Sequence, residues 1–341
     1  MAVAEQKVLR TPVRHLDGAR VLRERPFMIM SPRCLILALL LSACAPPMVS
    51  VRMQNLPPVD GGIARGEATL PGLRGITLYE QWWRPATAPP RGAVAIVHGF
   101  KDHGDRYAEL ARHLVDKGLA VYAIDLRGHG RSSGRRAVFD HFDDNLADLD
   151  TFLADVRKRE PNLPLFLFGH SIGGATVTLY TITRQPQLAG LIVHGGALKI
   201  DVSKAKIGGV KLVAALSPYA KVFKLDPKLF SHDPQVFAAA EADPFIYHPD
   251  HPARTAREAL SAIARVEANG NQVRVPLLVI HGAADRVTPP AGSELLYKNA
   301  LSLDKTLTLY PGFYHDLLRD LDHDKVVSEI VDWIAARLPA S

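Results

Sequence analysis

Pro164-Leu165-Phe166-Leu167-Phe168 runs directly into Gly169-His170-Ser171-Ile172-Gly173-Gly174, and Ala175-Thr176-Val177-Thr178-Leu179-Tyr180-Thr181-Ile182 follows. The apolar run predicts a strand, the glycine-flanked hexapeptide a sharp turn, and the last stretch a helix. A strand that reverses this abruptly into a helix holds its central residue in a strained conformation, so the neighbours must be small. Ser171 then projects above the sheet edge as a candidate nucleophile. The N–H of the next residue, Ile172, lies at a helix N-terminus, where it can face developing negative charge.

Composition sets the bounds. The chain has 341 residues, 47% of them apolar and 22% charged, enough for a large α/β domain with an insertion. The net charge of +6 is concentrated at the start: residues 1–43 hold seven Lys/Arg and three Asp/Glu, leaving 34 basic and 32 acidic residues. No basic tract with interleaved aromatics follows, so no nucleic-acid partner is expected. Cys34 and Cys44 are the only cysteines, which excludes a disulfide framework or cysteine metal site in the folded body. The fourteen histidines include no His-x-x-x-His pair, so no metal is expected either.

Arg33 precedes Leu35-Ile36-Leu37-Ala38-Leu39-Leu40-Leu41, an apolar run too short to span a bilayer, and Ser42-Ala43-Cys44 comes next. A positive flank, a short apolar core and small residues make a secretory signal. Leu41-Ser42-Ala43-Cys44 resembles the lipobox of bacterial lipoproteins. That resemblance implies lipidation of Cys44, removal of residues 1–43, and anchoring in the bacterial envelope. Ala45 after the cysteine implies the outer membrane, facing the periplasm. Translation from Met28 or Met30 would suit such a signal best. Residues 44–73, with Pro46-Pro47, Pro57-Pro58 and Gly61-Gly62, are expected to form a tether.

Downstream, strand-like and helix-like stretches alternate. Ile76 to Trp83, Ala93 to Val97, Ala120 to Ile124, Leu191 to His194, Val275 to Ile280 and Thr306 to Tyr310 read as strands. Tyr107 to Lys117, Phe142 to Arg159 and Asp324 to Leu338 read as helices. This alternation predicts a mostly parallel sheet with helices on both faces. It breaks between 197 and 269, where only helical fragments are found. We therefore expect an α/β core at 74–196 and 270–341, with a mainly helical cap at 197–269. Within the cap, Ile207, Val210, Val213 and Leu216 recur at threes beside Lys204, Lys206 and Lys211. This face either packs on the core or stays open to lipid.

Ser171 needs a base and a group to orient it. Leu277-Leu278-Val279-Ile280-His281-Gly282-Ala283-Ala284-Asp285 delivers a carboxylate at a strand end, and Leu309-Tyr310-Pro311-Gly312-Phe313-Tyr314-His315 a histidine. The order Ser171, Asp285, His315 is that of the α/β-hydrolases. Competing residues have simpler roles: His98 and His281 in tight turns, Asp125 on the Arg127-Gly128 loop, His170 pointing away from the nucleophile. Asp316 is too close in sequence to His315 to face its ring.

Several further stretches are similar to those of monoacylglycerol lipases and related bacterial lysophospholipases. They are His98-Gly99-Phe100-Lys101-Asp102-His103-Gly104-Asp105-Arg106-Tyr107, Asp125-Leu126-Arg127-Gly128-His129-Gly130-Arg131-Ser132, Asp243-Pro244-Phe245-Ile246-Tyr247 and His281-Gly282-Ala283-Ala284-Asp285-Arg286-Val287-Thr288, besides the hexapeptide itself. The resemblance runs from about Ile76 to Leu338 and leaves out the cap centre, about 200–237. It implies an α/β-hydrolase fold and a second oxyanion donor in the backbone N–H of Phe100. It also implies a lipid ester substrate, monoacylglycerol or lysophospholipid, and no cofactor. A broad carboxylesterase or thioesterase, and an inactive envelope binding protein on the same scaffold, stay open as alternatives, as does the oligomeric state. An Asp nucleophile, as in dehalogenases and epoxide hydrolases, is absent where Ser171 stands.

Overall fold

The computed structural model describes residues 45–56 and 59–339. The expected leader at 1–43 and Cys44 lie outside the described residues.

A nine-stranded sheet runs through the molecule. Its strands are β1 (Val59–Asp60), β2 (Ile63–Pro71), β3 (Thr77–Pro85), β4 (Gly92–Val97), β5 (Leu119–Asp125), β6 (Leu165–His170), β7 (Gly190–His194), β8 (Leu277–Gly282) and β9 (Lys305–Tyr310). In space the order is β9-β8-β7-β6-β4-β5-β3-β2-β1. The six strands from β9 to β5 are mutually parallel, and β3, β2 and β1 continue the sheet antiparallel.

Period-two alternation sends side chains of each central strand to opposite faces. On one face Ala93, Ala95 and Val97 join Leu165, Leu167, Leu277 and Val279. On the other Val94 and Ile96 join Phe166, Phe168, Leu278 and Ile280. The first face is covered by α2 (Asp143–Arg159) and α3 (Ile172–Arg184), the second by α1 (Ala108–Asp116) and α8 (Asp324–Ala335). Both faces are thus buried, which is why these strands read as continuous apolar runs. Every parallel strand ends at the same edge, so the loops after β4, β6, β8 and β9 meet there.

Between β7 and β8 the chain adds α4 (Lys204–Leu216), α5 (Pro234–Ala242) and α6 (Ala253–Asn269), and no strand of the main sheet. Lys221–Phe223 and His251–Pro252 pair instead as a separate small ribbon. The expected cap end at 269 is too late. Ala262 and Val266 of α6 belong to the main core with Val177 and Leu179 of α3, so α6 packs with the core helices and the cap closes near Pro252. α4 itself is thinly covered: Ala214 is its only buried residue, while Leu212 and Leu216 are 61% and 75% exposed. Ile207, Val210 and Val213 are half-buried, so the face at threes is shared between core and solvent. A further helix, α7 (Ala291–Asn299), packs Leu296 into the first face.

The expected tether at 44–73 is a second correction. Met48–Val49 pairs with Gly134–Arg135, and Arg52 N–H donates to the Arg131 carbonyl. β2 pairs residue for residue with the whole of β3. Its sequence hides this because Arg65, Gly66 and Glu67 break the alternation; Gly66 leaves room for the Trp82 ring, which a Cβ would meet at 2.2 Å. Among the described residues no helix is long and apolar enough to cross a membrane.

Because Ile63 and Leu70 of β2 are buried, a chain starting at residue 73 should lose roughly 3–6 kcal/mol relative to one starting at Ala45, at ~1.5–3 kcal/mol per core side chain. Urea titration of the two checks this. Equal midpoints would restore the tether.

Candidate active site

The turn after β6 is set by two close approaches. A Cβ on Gly173 would lie 2.4 Å from the carbonyl oxygens of both Val97 and His98, and one on Gly169 2.5 Å from the Gly173 carbonyl oxygen. α3 can therefore start only where both positions lack a side chain. Between them Ser171 takes φ +55°, ψ −120°, a conformation that L-residues rarely adopt. Its N–H donates to the His194 carbonyl at 3.0 Å, and its own carbonyl accepts from Ala175 and Ala197.

The structure brings Ser171, His315 and Asp285 together. His315 Nε2 lies 2.9 Å from Ser171 Oγ, and His315 Nδ1 lies 2.7 Å from Asp285 Oδ2. Since the carboxylate accepts, Nδ1–H donates to it, and bare Nε2 accepts from the serine hydroxyl. His315 and Asp285 are buried, while Ser171 is half-buried at the floor of a cavity. Burial alone would raise the Asp285 carboxyl. The neighbouring His315 and the hydrogen bonds from His281 and His315 hold it well below the usual range instead.

Asp285 has more partners than the sequence revealed. Its Oδ1 accepts from the Val287 and Thr288 N–H groups at 2.7 and 3.0 Å, and its Oδ2 from the Thr288 hydroxyl at 2.9 Å. His281, expected only to shape a turn, donates from Nε2 to Oδ2 at 3.0 Å, and its Nδ1 accepts from the Ser293 hydroxyl at 2.7 Å. One signal was available: His281 precedes Asp285 by four residues at the end of a buried strand.

The other candidates separate. His170 Nδ1 lies 2.9 Å from His194 Nδ1, and its ring is 5.0 Å from that of His315 without a bond to Ser171. Burial and the nearby His315 lower His170 to about 4, so its ring is neutral. His98 Nε2 accepts from the Leu126 N–H at 2.9 Å. Asp125 ties down the loop that carries Arg127-Gly128, accepting from the Arg131 N–H at 2.7 Å, and it also accepts from the Gly104 N–H at 2.7 Å, without touching the Arg127 side chain. Arg127 is held by Asp144 and Asp148 instead. Asp316 pairs with Arg319 and Arg106. Phe100 and Ile172, the expected oxyanion donors, follow β4 and open α3 respectively. The N–H of Ile172, as first residue of the helix, has no intrahelical acceptor.

The cavity encloses about 870 Å³, open solvent at its mouth included. Its cap side is mainly apolar, with Leu225, Phe230, Val236, Phe237 and Ile246, and carries Glu241, Tyr247 and His248 as polar groups, while Lys101 lines it from the loop after β4. Phe230 meets the His315 ring edge-on at 5.2 Å. Ile246 and Tyr247 lie in the Asp243-Pro244-Phe245-Ile246-Tyr247 stretch quoted from the sequence, but Phe230, Val236, Phe237, Glu241 and His248 were not singled out, since a cavity wall has no fixed spacing along the chain. Among the described residues, Glu109, His323 and Asp324 gather metal-ligand atoms, and none of them lines the cavity.

Residues 88–322 match the family described as serine aminopeptidase S33. The chain belongs to this hydrolase family. It is 34% identical over 276 residues to a monoacylglycerol lipase of Mycolicibacterium smegmatis, covering 80% of this chain and 98% of that one. It is 32% identical over 265 residues to the human monoglyceride lipase, covering 76% and 87%. The crystal structure of Paleococcus ferrophilus monoacylglycerol lipase superposes with a TM-score of 0.67 at 27% identity, covering 81% of this hydrolase and 99% of that chain.

In this hydrolase, His281→Gln is expected to lower kcat roughly 10- to 100-fold with KM nearly unchanged, the value of one hydrogen bond to a buried charge (~1.5–3 kcal/mol). Steady-state kinetics on a soluble ester checks it. An unchanged kcat would leave His281 a turn residue.

Proposed function

We propose that this chain is a serine hydrolase that cleaves the single acyl ester of monoacylglycerol-type lipids through an acyl-enzyme. The observation that carries the reading is the hydrogen-bonded line Ser171–His315–Asp285 at the floor of a cavity whose cap side is mainly apolar. The monoacylglycerol lipase relatives support the substrate class.

The reaction follows from the geometry. His315 Nε2 takes the Ser171 proton as Oγ attacks the ester carbonyl carbon. The carbonyl oxygen becomes an oxyanion, for which the N–H groups of Phe100 and Ile172 are the donors. The tetrahedral intermediate collapses, the C–O bond to the glycerol breaks, and imidazolium Nε2–H protonates the leaving alkoxide. Water, deprotonated by His315, then attacks the acyl carbonyl, and the imidazolium returns that proton to Ser171 Oγ as the C–Oγ bond breaks and the fatty acid leaves. Asp285 fixes the His315 tautomer and offsets its transient positive charge. The mainly apolar wall of Phe230, Phe237 and Ile246 suits the acyl chain.

Ser171→Ala should lower kcat on a monoacylglycerol by about 10⁴-fold or more with the fold intact. Turnover above a tenth of wild type would place the nucleophile elsewhere. Wild-type cleavage of short soluble esters but not of monoacylglycerol would favour the carboxylesterase alternative.

The membrane anchor belongs to the same proposal. Leu41-Ser42-Ala43-Cys44 after a short apolar run supports lipidation of Cys44 and attachment to the outer membrane. Acyl chains on that cysteine would hold the hydrolase at the surface where its substrates lie. Mass spectrometry of the N-terminal peptide from a bacterial envelope is expected to find a diacylated Cys44 as first residue. A free thiol within an intact leader would refute it.

A further inference from the structure

The loop that follows β4 is tied to the cap at two consecutive residues. Phe100 stacks on His251 at 4.8 Å, and His251 stacks in turn on Phe223 at 4.0 Å. Phe223 and His251 belong to the small cap ribbon and face each other across it. On its other side Phe100 meets Phe139 and His129 edge-on, at 5.4 and 5.2 Å, so the ring is wedged between cap and core. His251 is buried, and burial together with Lys101 lowers its imidazole to about 3, leaving an uncharged ring for stacking.

The next residue, Lys101, has φ +62°, a left-handed conformation that a lysine adopts only when something holds it there. Its side chain crosses to the cap and donates from Nζ to two backbone carbonyls, those of His248 (3.5 Å) and Pro249. Both carbonyls lie just before the second ribbon strand, His251–Pro252. The loop has bonds of its own on either side of this pair: the Gly99 carbonyl lies 2.6 Å from His98 Nδ1 and 3.3 Å from the Asp102 nitrogen, and the Asp102 carboxylate accepts from the His103 N–H and the Tyr107 hydroxyl, but none of them is made by Phe100 or Lys101.

We propose that Lys101 and the Phe100–His251–Phe223 stack are positioning residues that fix the oxyanion loop to the cap ribbon, so that the hole is formed only while the ribbon is seated. The proposal rests on the reading of the Phe100 N–H as an oxyanion donor. A donor of this kind must sit within a few tenths of an ångström of the developing charge, and at Phe100 and Lys101 the loop is tied to the cap by a ring stack and two carbonyls. The cap then has two roles: it walls the acyl cavity and it completes the catalytic geometry.

Three variants test this. Lys101→Gly deletes the clamp and keeps the left-handed backbone, which glycine adopts freely. Phe223→Ala removes the outermost ring, which is 41% exposed. Lys101→Arg restores a cationic donor. Backbone hydrogen exchange over residues 98–103, thermal melting, and kcat and KM on a soluble ester are measured for each. Lys101→Gly and Phe223→Ala should speed loop exchange, hold the melting temperature, and lower kcat about 10-fold or more with KM within about twofold, as for a misplaced oxyanion donor. Lys101→Arg should recover most of the loss. Unchanged loop exchange in both variants would overturn the proposal, and so would a raised KM at constant kcat, which would make Lys101 a substrate contact. Failure of the underlying catalytic reading would register separately, as turnover by Ser171→Ala, because loop exchange reports the clamp without reference to activity.

Discussion

The packing of Gly173 against the carbonyls of Val97 and His98 is the constraint on which the rest of the site depends. It lets α3 begin immediately above the ends of β4 and β6, and it forces Ser171 into a conformation that exposes its hydroxyl. Strain of this kind persists only where the surroundings over-determine it. Here they do: the Ser171 N–H is bound to β7, and its carbonyl to Ala175 and Ala197. The same parallel sheet delivers Asp285 and His315 to that edge from β8 and β9. One backbone contact therefore sets the place to which two side chains from distant sequence are brought.

Around that edge the molecule keeps a buried anion among neutral rings. Asp285 is held ionised by five hydrogen bonds from Val287, Thr288 (amide and hydroxyl), His281 and His315. His98, His129, His170, His194 and His251 have their charged forms disfavoured by burial. Burying so many histidines is tolerable because most of their ring nitrogens find partners, among them the Leu126 amide, the Ser293 hydroxyl and the carbonyls of Gly99, Arg127 and Phe223.

The cap differs in kind from the body beneath it. Its helix α4 buries a single alanine, and its ribbon has only two short strands. It adds little core but presents Phe230, Phe237 and Ile246 to the cavity and Phe230 to the His315 ring. Segments with few buried contacts open at low free-energy cost, which suits an entrance through which an acyl chain must pass.

The fold class and the nucleophile, acid and base candidates could be read from the sequence because local constraints encode them. Apolar runs such as Ala93 to Val97 are unbroken since both sheet faces are covered, and the glycines beside Ser171 are required by contacts within one turn. The order Ser171, Asp285, His315 needs only that parallel strands end at one edge. What tertiary structure alone decided lacked such a local rule. β2 joins the sheet through backbone pairing with β3 although Arg65, Gly66 and Glu67 erase its alternation. α6 is core rather than cap because Ala262 and Val266 meet α3, a contact that helical periodicity cannot assign to one partner over another. Lys101 reaches the carbonyls of His248 and Pro249 because folding closes a distance that spacing along the chain does not record.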